Sequence, residues 1–104
     1  MTEKMPASHA AFVRWVMKEA KRREPRLLVE KRSSVVGGRW DFICVANGRH
    51  GELELKVGRD KLSLQQKLWG ARLTLAGAYW LVARTRTEVL KFFDRLIGEE
   101  KETI

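Results

Sequence analysis

The chain has little of what cross-linked or zinc-nucleated domains are built from. Its 104 residues include one cysteine, Cys44, and two histidines, His9 and His50. A single cysteine excludes an internal disulfide framework and a cysteine-rich zinc site, and the two histidines do not complete the ligand set of a zinc finger. Hydrophobic residues make up 44% of the chain, which is ordinary for a folded protein and excludes wholesale disorder.

Long apolar runs, internal repeats and linkers rich in proline or glycine are also missing. The longest apolar stretch, Ala76 to Ala83, is far shorter than the roughly 20 residues that span a bilayer. No apolar segment of the signal-peptide kind follows the N-terminus. The length suits one domain and not two. We therefore expect one domain over residues 1–104 with its core at about 8–97, no membrane partner, and an intracellular protein that is cytoplasmic in a bacterial or phage setting.

Acidic residues are scarce relative to basic ones. Thirteen Asp and Glu stand against 21 Lys and Arg, which gives a net charge of +8. A balance this basic indicates a polyanionic partner, most often nucleic acid.

Hydrophobic periodicity and turn signals predict an α/β fold with a mixed sheet and the order α-β-β-β-α-β-α. The predicted elements are a helix over 8–23, strands over 26–32, 40–46 and 49–57, a helix over 63–76, a strand over 78–83 and a final helix over 85–97. The second helix is expected to face the core with Leu64, Leu68, Ala71 and Leu75. The last strand, apolar without alternation, is expected to be buried on both faces.

The two strands around Asn47-Gly48 carry the most chemical information. Asn-Gly between strand-like runs predicts a type I′ hairpin, because both turn positions need a positive φ. Asp41 then lies directly opposite Glu54, with Cβ atoms roughly 5 Å apart. Lys56 follows two residues later on the same face.

Two opposed carboxylates destabilise a sheet, and a divalent cation between them would remove that cost. Carboxylate, carbonyl and water oxygens form the shell that Mg²⁺ prefers. A nearby lysine orients water and stabilises charge that develops on a phosphate. The pattern therefore predicts a metal site for phosphodiester hydrolysis. The alternative is an ordinary solvated strand face, and a one-residue slip in register would also place Asp41 on the other face.

Three segments together resemble a known family. Gly37-Gly38-Arg39-Trp40-Asp41, Glu54-Leu55-Lys56 and Ser63-Leu64-Gln65-Gln66-Lys67 are similar to the successive motifs of the VRR-NUC nucleases of the PD-(D/E)XK superfamily. The resemblance covers about residues 8–97. It implies a restriction-endonuclease-like αβββαβ core plus a C-terminal helix. It also implies cleavage of DNA, with branched or junction DNA among the candidate substrates, with Mg²⁺ or Mn²⁺ and with no small-molecule cofactor. Because the junction-resolving relatives are dimers, we expect a homodimer.

The same resemblance implies a role for each matching residue. Asp41 and Glu54 become metal ligands together with the backbone carbonyl of Leu55. Lys56 becomes the catalytic lysine, and Gln66 assists water at the metal or the phosphate.

Two positions depart from the family pattern. Trp40 stands where the family usually has proline. Many members carry a glutamate near the start of the first helix, where this chain reads Ser8-His9-Ala10-Ala11. Glu19, on the predicted inner stripe of that helix, is a possible substitute.

Some candidates have structural alternatives. Ser63 and Gln66 have the spacing of a capping box, in which Gln66 would bond back to the Ser63 N–H and be unable to serve a site. Arg59 and Lys61, in the loop after Lys56, are candidates for DNA binding or are simply solvated.

Two functions therefore remain open. The first is a metal-dependent DNA endonuclease with Asp41, Glu54 and Lys56 at its centre. The second is a non-catalytic basic module that binds nucleic acid on the same fold. Opposed carboxylates on a DNA-facing surface repel phosphate and favour the enzyme.

Overall fold

The computed structural model describes residues 3–33 and 38–98. These residues form three helices and one four-stranded sheet, in the predicted order. The elements are α1 His9–Lys21, β1 Leu28–Lys31, β2 Phe42–Ala46, β3 Arg49–Leu55, α2 Leu64–Leu75, β4 Tyr79–Ala83 and α3 Arg86–Ile97. The α/β class with a mixed sheet is thus confirmed. Gly37 of the family-like motif and the acidic tail 99–104 lie outside the described residues.

The β2–β3 hairpin has the register that the Asn-Gly turn predicts. Ala46 pairs with Arg49, and Phe42 pairs with Leu53. Asn47 and Gly48 have φ values of 51° and 74°, as a type I′ turn requires. The register places the side chains of Glu52 and Glu54 on one face of β3 and those of Leu53 and Leu55 on the other.

The sheet has the strand order β1-β2-β3-β4, in which only β3 and β4 run parallel. A parallel pair needs a crossover connection, and α2 provides it. Residues Gly51 to Leu55 of the central strand β3 are all buried, whereas on β2 Val45 is 42% exposed.

One face of the sheet holds the main core, against α1 and α3. Phe12 and Val16 of α1 and Phe93 of α3 are fully buried there with Phe42 and Leu53. Cys44 belongs to this core, and burial first and Glu52 second raise the pKa of its thiol to about 12. The thiol therefore stays protonated at neutral pH, as expected of a small core residue.

Helix α2 covers the opposite face of the sheet, but the side of the helix that is buried is not the predicted one. Leu64, Leu68 and Leu75 are 71%, 56% and 89% exposed, whereas Gly70 and Leu73 are buried. A Cβ on Gly70 would lie 3.0 Å from Cζ2 of Trp40, so the missing side chain lets this side of α2 rest on the indole. The predicted inner stripe is wrong because apolar residues occupy both sides of this helix.

The prediction that the last strand is buried on both faces is wrong. β4 is an edge strand, and Trp80 in it is 43% exposed. Trp40 is only 1% exposed. It packs edge-on against Trp80, with ring centroids 5.4 Å apart, and donates its indole N–H to the carbonyl of Gln66. Trp40 thus supports α2 where the family usually has proline.

Within 3–33 and 38–98, none of the helices is long and apolar enough to cross a membrane.

Candidate active site

The carboxylates of Asp41 and Glu54 accept backbone hydrogen bonds that link the two residues at the open end of the hairpin. The Asp41 N–H donates to Glu54 Oε1 at 3.0 Å. The Leu55 N–H donates in turn to Asp41 Oδ2 at 2.9 Å. Each carboxylate thereby holds the strand that carries the other, which places both acids and the Leu55 backbone in one small region.

The polar face of β3 is not a solvated face. Glu52 and Glu54 are only 2% and 3% exposed because α2 covers them. Burial and, after it, the negative charge of Asp41 raise the pKa of Glu54 above its usual value. The Lys56 ammonium and the Asp41 N–H act in the opposite direction without outweighing them. The alternative of an ordinary solvated strand is therefore wrong.

Lys56 lies beside this pair of acids. Its Nζ is 3.4 Å from Glu54 Oε2, and its side chain is 15% exposed. Its backbone N–H donates to the carbonyl of Ala83 on β4. This hydrogen bond to β4 fixes the backbone of Lys56, and the ammonium group lies next to the Glu54 carboxylate.

Gln66 caps α2 and also contacts Glu54. Its side-chain oxygen accepts the Ser63 N–H at 3.0 Å, completing the capping box. Its side-chain nitrogen donates to Glu54 Oε2 at 2.9 Å. The two ends of one amide serve two partners, so capping does not keep the Gln66 side chain away from Glu54.

His9 is a residue of this region that sequence reasoning missed. It is the first residue of α1, and its Nε2 lies 3.1 Å from Asp41 Oδ2. The family motif places a glutamate near this point of the first helix, and that position was the available signal. Because the contact spans two elements distant in sequence, local pattern alone does not show it.

Glu19 lies elsewhere. It is about 15 Å further along α1 than His9, at 1.5 Å per residue. Its two carboxylate oxygens accept from Arg22 at 3.3 Å and from Arg23 at 2.9 Å. The structure does not bring it to Asp41, and its geometry is that of a helix-surface ion pair.

Arg59 and Lys61 lie in the exposed loop after Lys56. The loop itself is held, because the Arg84 guanidinium donates to the carbonyls of Gly58 and Asp60 at 3.1 and 2.6 Å. The two candidate DNA-binding side chains are therefore presented to solvent from a braced turn.

A second buried acid has its own partners on the same face. The Arg32 guanidinium donates two hydrogen bonds to the Glu52 carboxylate. The indole N–H of Trp69 donates a third, at 2.8 Å. Burial raises the pKa of Glu52, but the hydrogen bonds from Arg32 and Trp69 together with the Arg32 charge outweigh it and hold the pKa below its usual value. His50 lies 3.4 Å from Glu52, not near Glu54.

Among residues 3–33 and 38–98, no three His, Cys, Asp or Glu side chains are grouped to hold a metal. The oxygen donors that the structure places in this region are the carboxylates of Asp41 and Glu54. Asp41 Oδ1 has no hydrogen-bond partner in the described part of the chain, because the contacts of this side chain all go to Oδ2.

The chain was compared with protein-family models, with curated proteins and with solved structures, and none of the three comparisons gives a match.

Proposed function

We propose that the protein is a metal-dependent DNA endonuclease of the VRR-NUC kind, built on a restriction-endonuclease-like core and active as a homodimer. The observation that carries the proposal is the buried Glu54 in contact with Asp41, with Lys56 beside it. A buried acid next to a second acid is costly to keep ionised, and a nucleic-acid hydrolase has a use for such a pair.

The donor set fits a hard divalent cation. Asp41 and Glu54 would hold Mg²⁺ or Mn²⁺ with the Leu55 carbonyl, and Asp41 offers an oxygen that no described residue occupies. When bound, such an ion supplies positive charge for phosphate oxygens and for an attacking water.

The chain's own residues supply the remaining functions. Lys56 brings a cation to the place where charge develops on the phosphate. Gln66 orients Glu54 by donating to its Oε2. His9 fixes one oxygen of Asp41, as partners of metal ligands commonly do. Arg59 and Lys61 bind the DNA backbone from the braced loop.

The runner-up is a basic module that binds nucleic acid without cleaving it. The net charge of +8 supports both functions equally. The burial of Glu54 to 3% favours the enzyme, because a binding module gains nothing from an acid enclosed beside a second acid.

The direct test is cleavage of labelled duplex, flap and four-way-junction DNA with Mg²⁺, with Mn²⁺ and with EDTA. We expect at least one substrate to be cut with metal and none with EDTA. Glu54→Gln should abolish cutting, whereas Glu30→Gln, which removes an exposed charge from β1, should not. DNA binding without cleavage of any substrate would favour the binding module. Equal cutting by Glu54→Gln and the parent would place the site elsewhere.

Metal binding is also expected to appear in thermal stability. Millimolar Mn²⁺ should raise the melting temperature of the parent, because a ligand of the folded state stabilises it by mass action. Asp41→Asn should lose most of this gain. Without metal, Asp41→Asn should match the parent or exceed it by some tenths of a kcal/mol, as a relieved cross-strand repulsion. The Asn oxygen can still accept the Leu55 N–H.

Glu30→Gln is the control in these melts and should keep the full response to Mn²⁺. A parallel response of the parent and Asp41→Asn would contradict the metal site.

A further inference from the structure

Three guanidinium groups surround one indole on the face that α2 covers. The guanidinium carbon of Arg39 lies 3.7 Å from the Trp69 ring centroid, and those of Arg72 and Arg32 lie 5.1 and 5.6 Å from it. Trp69 itself is held in place, because its N–H donates to the buried Glu52. We call Trp69, Arg32, Arg39 and Arg72 the tryptophan–arginine cluster.

The cluster contains more guanidinium groups than acidic partners. Arg32 is paired with Glu52. Arg39 and Arg72 contact the ring, and neither has a carboxylate partner among residues 3–33 and 38–98. Both are exposed. Within the described part of the chain, these two guanidiniums therefore face solvent without a carboxylate partner, and the ring restricts the positions that each of them can take.

Such an arrangement suits an anion with several oxygens. Like charges held close together repel each other. An anion bound between the two guanidiniums attracts both of them and so offsets this repulsion. The planar guanidinium fork matches phosphate oxygens in a two-pronged geometry, and stacking on an aromatic ring preorganises it. Contact with the ring also reduces the side-chain freedom that is lost on binding.

We propose that the tryptophan–arginine cluster binds a backbone phosphate of the nucleic acid, with Arg39 and Arg72 as the contacting groups. Arg32 is a positioning residue, because it neutralises Glu52 and so supports Trp69. The inference rests on the proposed function for the identity of the nucleic acid, but it does not need cleavage to occur.

The cluster lies beside the Glu54 site, on the face of the sheet that α2 covers. On β3, Glu52 and Glu54 lie on the same face two residues apart, about 6.6 Å. Trp69 contacts the first and Gln66 contacts the second. The cluster therefore lies close enough to the Glu54 site for one nucleic acid to contact both.

The test is the salt dependence of DNA binding, measured by fluorescence anisotropy in EDTA so that no cleavage interferes. For duplex DNA, log K falls with log salt by about 0.9 per neutralised phosphate. Loss of the shared phosphate contact should lower the magnitude of this slope by about 0.9 in Arg39→Gln/Arg72→Gln. Each single variant should show a weaker affinity and a smaller slope than the parent.

Arg95→Gln is the matched control. Its guanidinium also lies over one ring, 5.2 Å from Tyr79, and it lies on α3 at the other face of the sheet. It removes the same charge and should leave the slope unchanged. Melting curves establish that each variant is folded, and the two single variants are measured separately so that one failure to fold does not remove the test.

The outcomes separate the two proposals. A parent that binds DNA without cutting it contradicts the nuclease, while the slopes still decide the cluster. Unchanged slopes in Arg39→Gln and Arg72→Gln, or an equally large decrease of the slope in Arg95→Gln, would overturn the phosphate site. Neither result would contradict the nuclease proposal. A parent that binds no DNA overturns both.

Discussion

Lys56→Ala should lower the rate of DNA cleavage by about 100-fold or more. Its ammonium lies 3.4 Å from Glu54 Oε2, in a site where only 15% of the lysine side chain is exposed. A cation at a largely enclosed position stabilises developing charge far more than one in water does, and removing one such group typically costs about 10²–10³-fold in rate. The measurement is single-turnover cleavage at saturating protein with Mg²⁺.

DNA affinity should change little in the same variant, because Lys56 is one of 21 Lys and Arg residues and backbone binding is distributed over many charges. Lys18→Ala, which removes an exposed lysine from α1, is the control and should leave both rate and affinity near the parent's values. An affinity loss as large as the rate loss would make Lys56 a phosphate anchor without a part in the chemical step.

Arg32→Ala should lower the free energy of unfolding by about 3 kcal/mol at neutral pH. The reason is that the variant keeps the buried carboxylate of Glu52 without its guanidinium partner. Glu52 is 2% exposed and relies on Arg32 for two hydrogen bonds. Removing one partner of a buried ion pair typically costs about 3–5 kcal/mol. Urea unfolding followed by circular dichroism measures the loss.

The pH dependence identifies the cause. In the parent the pKa of Glu52 is held below its reference value of 4.5. Its ionisation therefore contributes stability above that value, and the contribution is lost as the pH falls through the folded-state pKa. Without Arg32, burial raises the pKa instead. The difference between parent and variant should then be largest near pH 7, should begin to shrink as the pH falls through the raised pKa of the variant, and should be smallest below the folded-state pKa of the parent.

Two further proteins control this experiment. Arg72→Ala removes another guanidinium from the Trp69 ring without exposing an acid, and it should cost less than about 1 kcal/mol. Glu52→Gln added to Arg32→Ala should recover part of the stability at neutral pH. A loss of equal size at pH 4 and pH 7 would mean that packing, rather than the charge of Glu52, is responsible.

Local sequence was sufficient where one short segment decides the outcome. Asn47-Gly48 determined the turn and, through it, the register that pairs Phe42 with Leu53. Ser63 and Gln66 predicted the start of α2. The same register identified Asp41, Glu54 and Lys56 as neighbours, because the geometry of a hairpin follows from its turn.

Side-chain pattern was not sufficient to choose which face of α2 is buried. Leucines at helical spacing indicated one side, and the structure buries the side with Gly70 and Leu73. The deciding contact is with Trp40, some 30 residues away in sequence. A helix with apolar residues on both sides is oriented by its partner, and its own sequence does not contain that partner.

By itself the sequence determined the order of the elements, the hairpin register and the acids that the hairpin brings together, because each follows from contacts within or between adjacent segments. Only the tertiary structure decided that Glu54 is buried, that His9 reaches Asp41, that Gln66 serves both its helix cap and Glu54, and that three arginines meet at Trp69. Burial and long-range contacts depend on which surfaces pack together, and packing is decided by the chain as a whole.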